Sequence, residues 1–327
     1  MGITKGASQP RVVTDAEAAL ELEPSATPKF HVGSMTKTFT AALVLLMQQE
    51  RLLDITDPIG RWVDVPHANS ITIEMLLNHT SGIPDILDLP QHAAGDAPLD
   101  SLAHIAAADL VFTPGTRWTY SNSNYLILGI ILERVSGTTY ERLLAERLLG
   151  PLGLQDTFLW GTRADPRVLA GFRLACGGPD QIACEAGVRY PVERVSDGRD
   201  WRVAWAAGGL VSTARDMSIW IDALVNGSVL DEKHRTLMLT PTALSVSGLS
   251  EIGKFDSIVW RSMGLGLMQF VLNDGSEAWG HTGYIDGFSA VAAGGTDLPS
   301  MAIAVTLEQA NVYELLAVAA SELKGCK

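Results

Sequence analysis

Ser34 and Lys37 are the residues whose types and spacing most directly suit bond-making. They stand three apart in Gly33-Ser34-Met35-Thr36-Lys37-Thr38-Phe39-Thr40, which runs on into Ala41-Ala42-Leu43-Val44-Leu45-Leu46-Met47. Met35, Phe39, Leu43, Leu46 and Met47 recur at helical spacing, which predicts a buried helix from Ser34 to about Arg51. Residues three apart on a helix share a face, so the lysine stands over the serine. A serine hydroxyl becomes an effective nucleophile when a neighbour takes its proton. An amine does so when neutral, and burial against apolar walls lowers a lysine pKa. A helix N-terminus favours an oxyanion and disfavours an ammonium. Yet Ser321 and Lys324 repeat the spacing near the C-terminus, where it reads as a solvated helix end. Spacing alone therefore decides nothing, and partners must come from elsewhere in the chain.

Two stretches supply them. Tyr120-Ser121-Asn122 is the only Tyr-x-Asn in the sequence. A tyrosine beside a cation can move protons as phenol or phenolate. If the segment is extended, Asn122 projects to the side of Tyr120. His281-Thr282-Gly283 falls on an expected strand. Its glycine lets substrate approach the backbone closely, and His281 and Thr282 offer side-chain donors to a carboxylate. His79, in Leu76-Leu77-Asn78-His79-Thr80-Ser81-Gly82, reads as a structural hydrogen-bonding residue.

A Ser-x-x-Lys on a helix start, a Tyr-x-Asn on a loop and a His-Thr-Gly on a strand, in that order, resemble the serine β-lactamase/penicillin-binding-protein superfamily. The resemblance runs from about Phe30 to the C-terminus and favours the branch holding class C β-lactamases, DD-carboxypeptidases, D-aminopeptidases and lactamase-like esterases. It includes Phe30-His31-Val32-Gly33 before the serine, Phe112-Thr113-Pro114-Gly115 before the tyrosine, and Gly208-Gly209-Leu210-Val211-Ser212-Thr213-Ala214. The His-Thr-Gly looks most like that of secreted DD-carboxypeptidases. The resemblance implies that Ser34 is the acylated nucleophile and that Lys37 and Tyr120 share general base and acid duty, with the acceptor of the serine proton left open. It implies that Asn122 binds the substrate carbonyl, and that His281 and Thr282 bind a carboxylate or tune Tyr120. Backbone N–H groups of Ser34 and Tyr284 form the implied oxyanion hole, beside Gly283. Trp205 falls where DD-carboxypeptidases place an aromatic at the edge of the site. No cofactor or metal is implied.

The surrounding elements must position these groups. Short apolar runs from 258 to 305, separated by turns such as Asn273-Asp274-Gly275, predict antiparallel strands. A last helix is expected from Asn311 to about Leu323. Ahead of them in the chain, Thr72 or Ser70 caps a short helix, another spans about Leu99 to Leu110, a third starts at Tyr125, and a fourth is capped by Thr138 or Thr139 and stops at Gly150-Pro151. Thr213 or Ser212 caps a helix closed by Asn226-Gly227, and a short strand fits Arg11-Val12-Val13. The expected fold is α/β: an antiparallel sheet flanked by helices, with an inserted, mostly helical subdomain. Residues 1–55 plus 205–327 form the sheet part and 56–204 the helical part of one structural unit. Only 33 residues precede Ser34, about half of what the resemblance leads one to expect, so the N-terminal part of the sheet is expected to be shortened. An open sheet edge there is an aggregation hazard.

Composition narrows the partners. The chain has 327 residues, 47% of them apolar, enough for a large core. Its 37 acidic against 24 basic residues give a formal charge of −13, which argues against nucleic acid or an anionic membrane. No apolar run reaches transmembrane length, and the first residues lack a signal-peptide core. The resemblance points to a periplasmic or secreted enzyme whose leader has been removed; the residues alone also allow the cytosol. Cys176 and Cys184 either bridge a short loop or stay as free thiols, and with Cys326 they match no zinc motif. Oligomeric state is left open. The expected function is a serine hydrolase forming an acyl-enzyme on Ser34, acting on a small molecule or peptide: a D-amino-acid peptide or a β-lactam. A carboxylesterase with the same residues is the alternative, and a catalytically silent binding member of the fold is a second one.

Overall fold

The computed structural model describes residues 2–3, 11–12, 27–93, 95–174, 192–195, 202–243, 254–255, 258–295, 298–307 and 310–325. Cys176, Cys184 and Cys326 lie outside them. The strands are β1 (Gly2–Ile3), β2 (Arg11–Val12), β3 (Phe30–His31), β4 (Phe158–Leu159), β5 (Phe172–Leu174), β6 (Val192–Arg194), β7 (Leu210–Ser212), β8 (Lys254–Phe255), β9 (Ile258–Met263), β10 (Met268–Leu272), β11 (Glu277–Ile285), β12 (Phe288–Gly294) and β13 (Met301–Val305). The helices are α1 (Thr36–Gln49), α2 (Ile73–Leu77), α3 (Pro98–Ala106), α4 (Asn122–Ser136), α5 (Tyr140–Leu144), α6 (Gly150–Leu152), α7 (Trp205–Gly208), α8 (Ala214–Asn226), α9 (Glu232–Met238) and α10 (Val312–Gly325). None among the described residues is long and apolar enough to cross a membrane.

The runs after residue 258 form a meander. Strands β8 to β13 make a six-stranded sheet in the order β13-β12-β11-β10-β9-β8, each pair antiparallel. Alternation along β12 explains why both its faces are covered. Ala290 and Ala292 join the larger core with α1 and α8, whereas Val291 and Ala293 join a second core with Phe270, Ile303 and Leu316 of α10. Small side chains on the first face let α1 and α8 come close. Ahead of Ser34, β1 pairs with β2, and Cα atoms of β1 come within 8 Å of β13. A separate small sheet, β3-β7-β4, carries the chain into the serine. Lys29, fully buried just before β3, is held by Asp156 and, at 3.2 Å, by Asp165.

Several boundaries differ from the sequence reading, and α3 already ends at Ala106 rather than Leu110. Gly33–Met35 is a separate 3-10 turn, with Gly33 at φ +50°, so Ser34 precedes the α-helix rather than beginning it. Helix α4 starts at Asn122, not Tyr125, because the polar side chains of its first turn find partners: Asp85 for Asn122, Pro84 O for Ser123 and Ser81 for Asn124. The helical path also passes Gly150-Pro151. A π-turn over Ala145–Leu149 leads into α6, and Gly153, left-handed at φ +66°, ends it.

Helix α1 is buried on nearly every side, and its threonines are satisfied within the protein. Thr40 Oγ1 donates to Ala206 O at 2.7 Å and meets Tyr140 Oη at 2.6 Å. Trp220 of α8 stacks on Phe39 with ring centroids 3.8 Å apart, and its Nε1–H donates to Thr38 Oγ1 at 2.7 Å. Trp220 is the brace between α1 and α8. Trp220→Ala is expected to lower unfolding stability by about 3–5 kcal/mol, through a cavity plus the lost hydrogen bond to Thr38, whose hydroxyl still donates to Met35 O, measured by urea denaturation.

Candidate active site

The site forms where three elements meet: the 3-10 turn of Ser34, the start of α4 and an overhang of β11. Strand β10 stops opposite Gly280, with Met268 as the last paired residue, so His281 to Ile285 of β11 project beyond it. The Ser34 turn lies against that overhang. Two glycines allow the approach. A Cβ on Gly33 would fall 2.9 Å from both N and O of Tyr284, and a Cβ on Gly283 would fall 1.9 Å from Val32 O and 3.3 Å from Ser34 N. The backbones of Ser34 and Tyr284 thus border one spot.

Lysine and tyrosine converge on the serine. Lys37 Nζ lies 3.0 Å from Ser34 Oγ, and Tyr120 Oη donates to the same oxygen at 2.7 Å. Lys37 Nζ also donates to Asn122 Oδ1 and to Ala207 O, both at 2.7 Å. A neutral amine has two N–H groups and one lone pair. The two carbonyl oxygens take the N–H groups and leave the lone pair for the serine proton. Complete burial pulls the Lys37 pKa down to about 7, against the opposing pull of the Asp85 carboxylate. Burial pushes the Tyr120 phenol well above its ordinary value, partly offset by its bond to Ser34. At neutral pH the phenol is therefore protonated and acts as a donor.

Asn122 is held at both ends. Its Nδ2 donates to Asp85 Oδ2 at 2.9 Å and Oδ1 at 3.2 Å, while its Oδ1 accepts from Lys37. That network assigns the amide orientation. His79, buried and left-handed at φ +62°, stacks on Tyr120 with centroids 4.5 Å apart, and its Nδ1 accepts the Ser121 N–H at 3.2 Å. It supports Tyr120 from behind.

His281 is buried, and its Nδ1 lies 2.5 Å from Thr282 O. Burial, then the nearby Lys37, lower its pKa to about 3, so it is neutral and offers a carboxylate no charge. Thr282 is buried between Met268 Sδ, 3.6 Å away, and Tyr313. Trp205 lines neither side of the cleft. Its ring packs edge-on against Tyr140, with centroids 5.2 Å apart, and over Gly129, where a Cβ would fall 2.6 Å from the indole. The neighbouring Val203, Ala204 and Ala207 line the cleft instead. Ser321, of the second Ser-x-x-Lys, sits exposed on α10.

Ser34, Asn122 and Tyr284 form a saddle between two lobes. The lobe of about 330 Å³ is mostly apolar, with Ile86, Leu87, Val203, Ala207 and Ile285, and has His92 and Asp286 at its border. The lobe of about 630 Å³ is aromatic, with Trp118, Tyr120, Trp260 and Tyr284 around Met268, His281 and Thr282. No lysine or arginine lines either lobe among the described residues. Sequence reasoning did not single out Asp85, Trp118 or Trp260. Asp85 follows a proline and caps a 3-10 turn over Ile86–Asp88, so from sequence it looks like an ordinary turn acid.

Comparison with known proteins agrees with this architecture. The Beta-lactamase family profile matches residues 16–316, and the chain belongs to that family. It is 31% identical to penicillin-binding protein 4* of Bacillus subtilis over 144 residues, 42% of this chain and 32% of that protein. It is 27% identical to the putative penicillin-binding protein PbpX of the same organism, over 67% of this chain and 52% of that one. The chain thus spans about a third to a half of the length of these curated relatives. Among solved structures, a D-stereospecific amidohydrolase from Streptomyces sp. superposes with a TM-score of 0.74 at 28% identity, covering 90% of this chain and 86% of that one. The D-amino acid amidase of Ochrobactrum anthropi SV3 gives 0.83 at 23% identity, covering 99% and 93%, a likeness of fold. Family and neighbours together support a hydrolase.

Gly283→Ala is expected to force β11 away from the Ser34 turn while leaving most of the fold intact. Reaction of Ser34 with a fluorophosphonate should slow by about a hundredfold, the lower end of the loss when an oxyanion donor is displaced, with the thermal transition as the check on folding.

Proposed function

We propose that the protein is a serine amidohydrolase that forms an acyl-enzyme on Ser34, with D-amino-acid amides or peptides as its acyl donors. The observation that carries this reading is the convergence of Lys37 Nζ and Tyr120 Oη on Ser34 Oγ, at 3.0 and 2.7 Å. Neutral Lys37 takes the serine proton as Oγ bonds to the substrate carbonyl carbon. The oxyanion is received by the N–H groups of Ser34 and Tyr284. As the bond to the leaving nitrogen breaks, Tyr120 gives that atom its phenol proton, and the Lys37 ammonium restores the phenol. Water then attacks the acyl-enzyme with the same groups in reverse.

Because Tyr120 lines the aromatic lobe, the leaving group departs there and the acyl portion occupies the apolar lobe. With a neutral His281, and no lysine or arginine among the described lining residues, the aromatic lobe suits an uncharged leaving group better than a free carboxylate. This favours amides over the carboxypeptidase substrates suggested by the His-Thr-Gly resemblance. The preference for D-configured acyl groups is supported by the likeness to the Streptomyces amidohydrolase. The uncharged aromatic lobe equally favours a second reading, an esterase with the same machinery.

Intact-mass spectrometry tests the assignment. The wild-type protein should gain one fluorophosphonate adduct and Ser34→Ala none; an adduct surviving in Ser34→Ala overturns it. A panel of D-phenylalanine amide, its L-enantiomer, a D-Ala-D-Ala peptide and p-nitrophenyl esters separates the substrate classes, and turnover of esters alone selects the esterase. The acylation rate should rise with pH through about 7, because Lys37 acts as a base above its lowered pKa and is protonated below it.

A further inference from the structure

Lys37 has one carboxylate neighbour that the reaction described above does not use. Asp85 reaches the lysine through a single side chain: its oxygens accept from Asn122 Nδ2 at 2.9 and 3.2 Å, and Asn122 Oδ1 accepts from Lys37 Nζ at 2.7 Å. The carboxylate is itself fixed, since Oδ1 also accepts the Leu87 N–H at 3.1 Å. Carboxylate, amide, amine and hydroxyl thus form one continuous chain ending on the nucleophile. We propose that Asp85 is a positioning residue of this hydrolase: through the Asn122 amide it holds Lys37 Nζ against Ser34 and compensates the charge that Nζ acquires on taking the serine proton. The inference rests on the acyl-enzyme reading of Ser34.

The chemistry follows from where charge appears. When the Ser34 proton moves to Nζ, a neutral buried amine becomes an ammonium and an oxyanion forms a few ångströms away. Other titratable groups facing Lys37 add no negative charge at neutral pH. Tyr120 and Tyr125, whose rings lie 4.8 and 5.5 Å from Nζ, have phenols pushed up by burial. His79 and His281 are held neutral, with pKa values lowered first by burial and then by Lys37. Asp85 is the carboxyl of the set and the charge that opposes the burial of Lys37. Its own pKa is raised, first by burial and also by the charge of Asp88, while its bonds from Leu87 and Asn122 and the charge of Lys37 pull it down. Its ordered contacts also determine which end of the Asn122 amide meets the lysine. If that amide turned over, an NH2 group would face an N–H donor, and Nζ would lose the acceptor that aims its lone pair at Ser34.

This arrangement has a signature that a merely structural role lacks. Asp85→Asn keeps the shape and can still present a carbonyl oxygen to Asn122, but it removes the charge. The Lys37 ammonium then becomes harder to form. The rise of acylation with pH should shift about one pH unit lower, and the plateau rate near pH 9 should fall about tenfold. A loop that had only loosened would lower the plateau without moving the rise. The experiment measures p-nitrophenolate release from p-nitrophenyl acetate between pH 5.5 and 9.5, in wild type, Asp85→Asn and Asp88→Asn, with intact-mass detection of the acetyl adduct. Asp88 is an exposed acid on the same turn whose charge acts on Asp85, whereas the carboxylate acting on Lys37 is Asp85, so the Asp88 variant should move the profile far less than Asp85→Asn. If Asp85→Asn does not fold, Asp85→Ser carries the same expectation. Absence of a Ser34 adduct in wild type removes the acyl-enzyme reading itself. An adduct in wild type, with a pH profile that does not move in Asp85→Asn or that moves equally in Asp88→Asn, overturns the role of Asp85 alone.

Discussion

The burial of Lys37 Nζ is the constraint on which the rest of the site depends. An amine removed from water must have its hydrogens accepted, and its charge becomes expensive. Both demands are met by Ala207 O within α7, Asn122 Oδ1 at the start of α4 and Ser34 Oγ, three residues back on the turn before α1. The sheet, α1 and α4 can be viewed as the apparatus that brings two acceptors and one hydroxyl donor to one nitrogen. The helix carrying Lys37 is correspondingly apolar all round, and the threonines that interrupt it are satisfied by neighbouring carbonyls and hydroxyls.

A second constraint is backbone proximity. A hydrogen-bonded edge strand ordinarily keeps another chain about 5 Å away. At Gly33 and Gly283 the turn and β11 come closer than side chains permit. The overhang of β11 beyond β10 makes this possible, because among the described residues His281 to Ile285 have no strand neighbour on that side and the Ser34 turn occupies it. Two glycines far apart in sequence are thereby one structural feature.

Much of this was legible in the residue order. The short apolar runs after 258 read as an antiparallel meander because alternation and turn residues are local signals, and hydroxyl residues mark three helix starts to within two positions for the same reason, with Thr72, Thr139 and Thr213 the ones that cap rather than Ser70, Thr138 and Ser212. The Ser34, Lys37, Tyr120 and Asn122 grouping was visible through the order of three motifs and the family they resemble, since the Ser-x-x-Lys spacing by itself recurs at Ser321. What escaped depended on tertiary partners. The start of α4 was placed too late because Asn122, Ser123 and Asn124 look like loop residues until Asp85, Pro84 and Ser81 are beside them. Trp205 was expected at the edge of the site, but Gly129 opens a slot that draws its ring to Tyr140. Trp118 and Trp260, whose centroids lie 5.7 Å apart, meet only because a loop and a strand far apart in sequence converge.

The two lobes are built from separate stretches of chain. Residues around 86–92 and 203–208 wall one side, while Trp118, Thr119, Trp260 and Met268 wall the other, and only the saddle itself is shared. Changes at sites that are not in contact combine nearly additively. In the proposed reaction the two halves of a substrate are therefore read by independent sets of side chains, and drift in one set leaves the other's selectivity in place. A scaffold divided in this way can acquire a new acyl preference and a new leaving-group preference in either order, without passing through a form that has lost both.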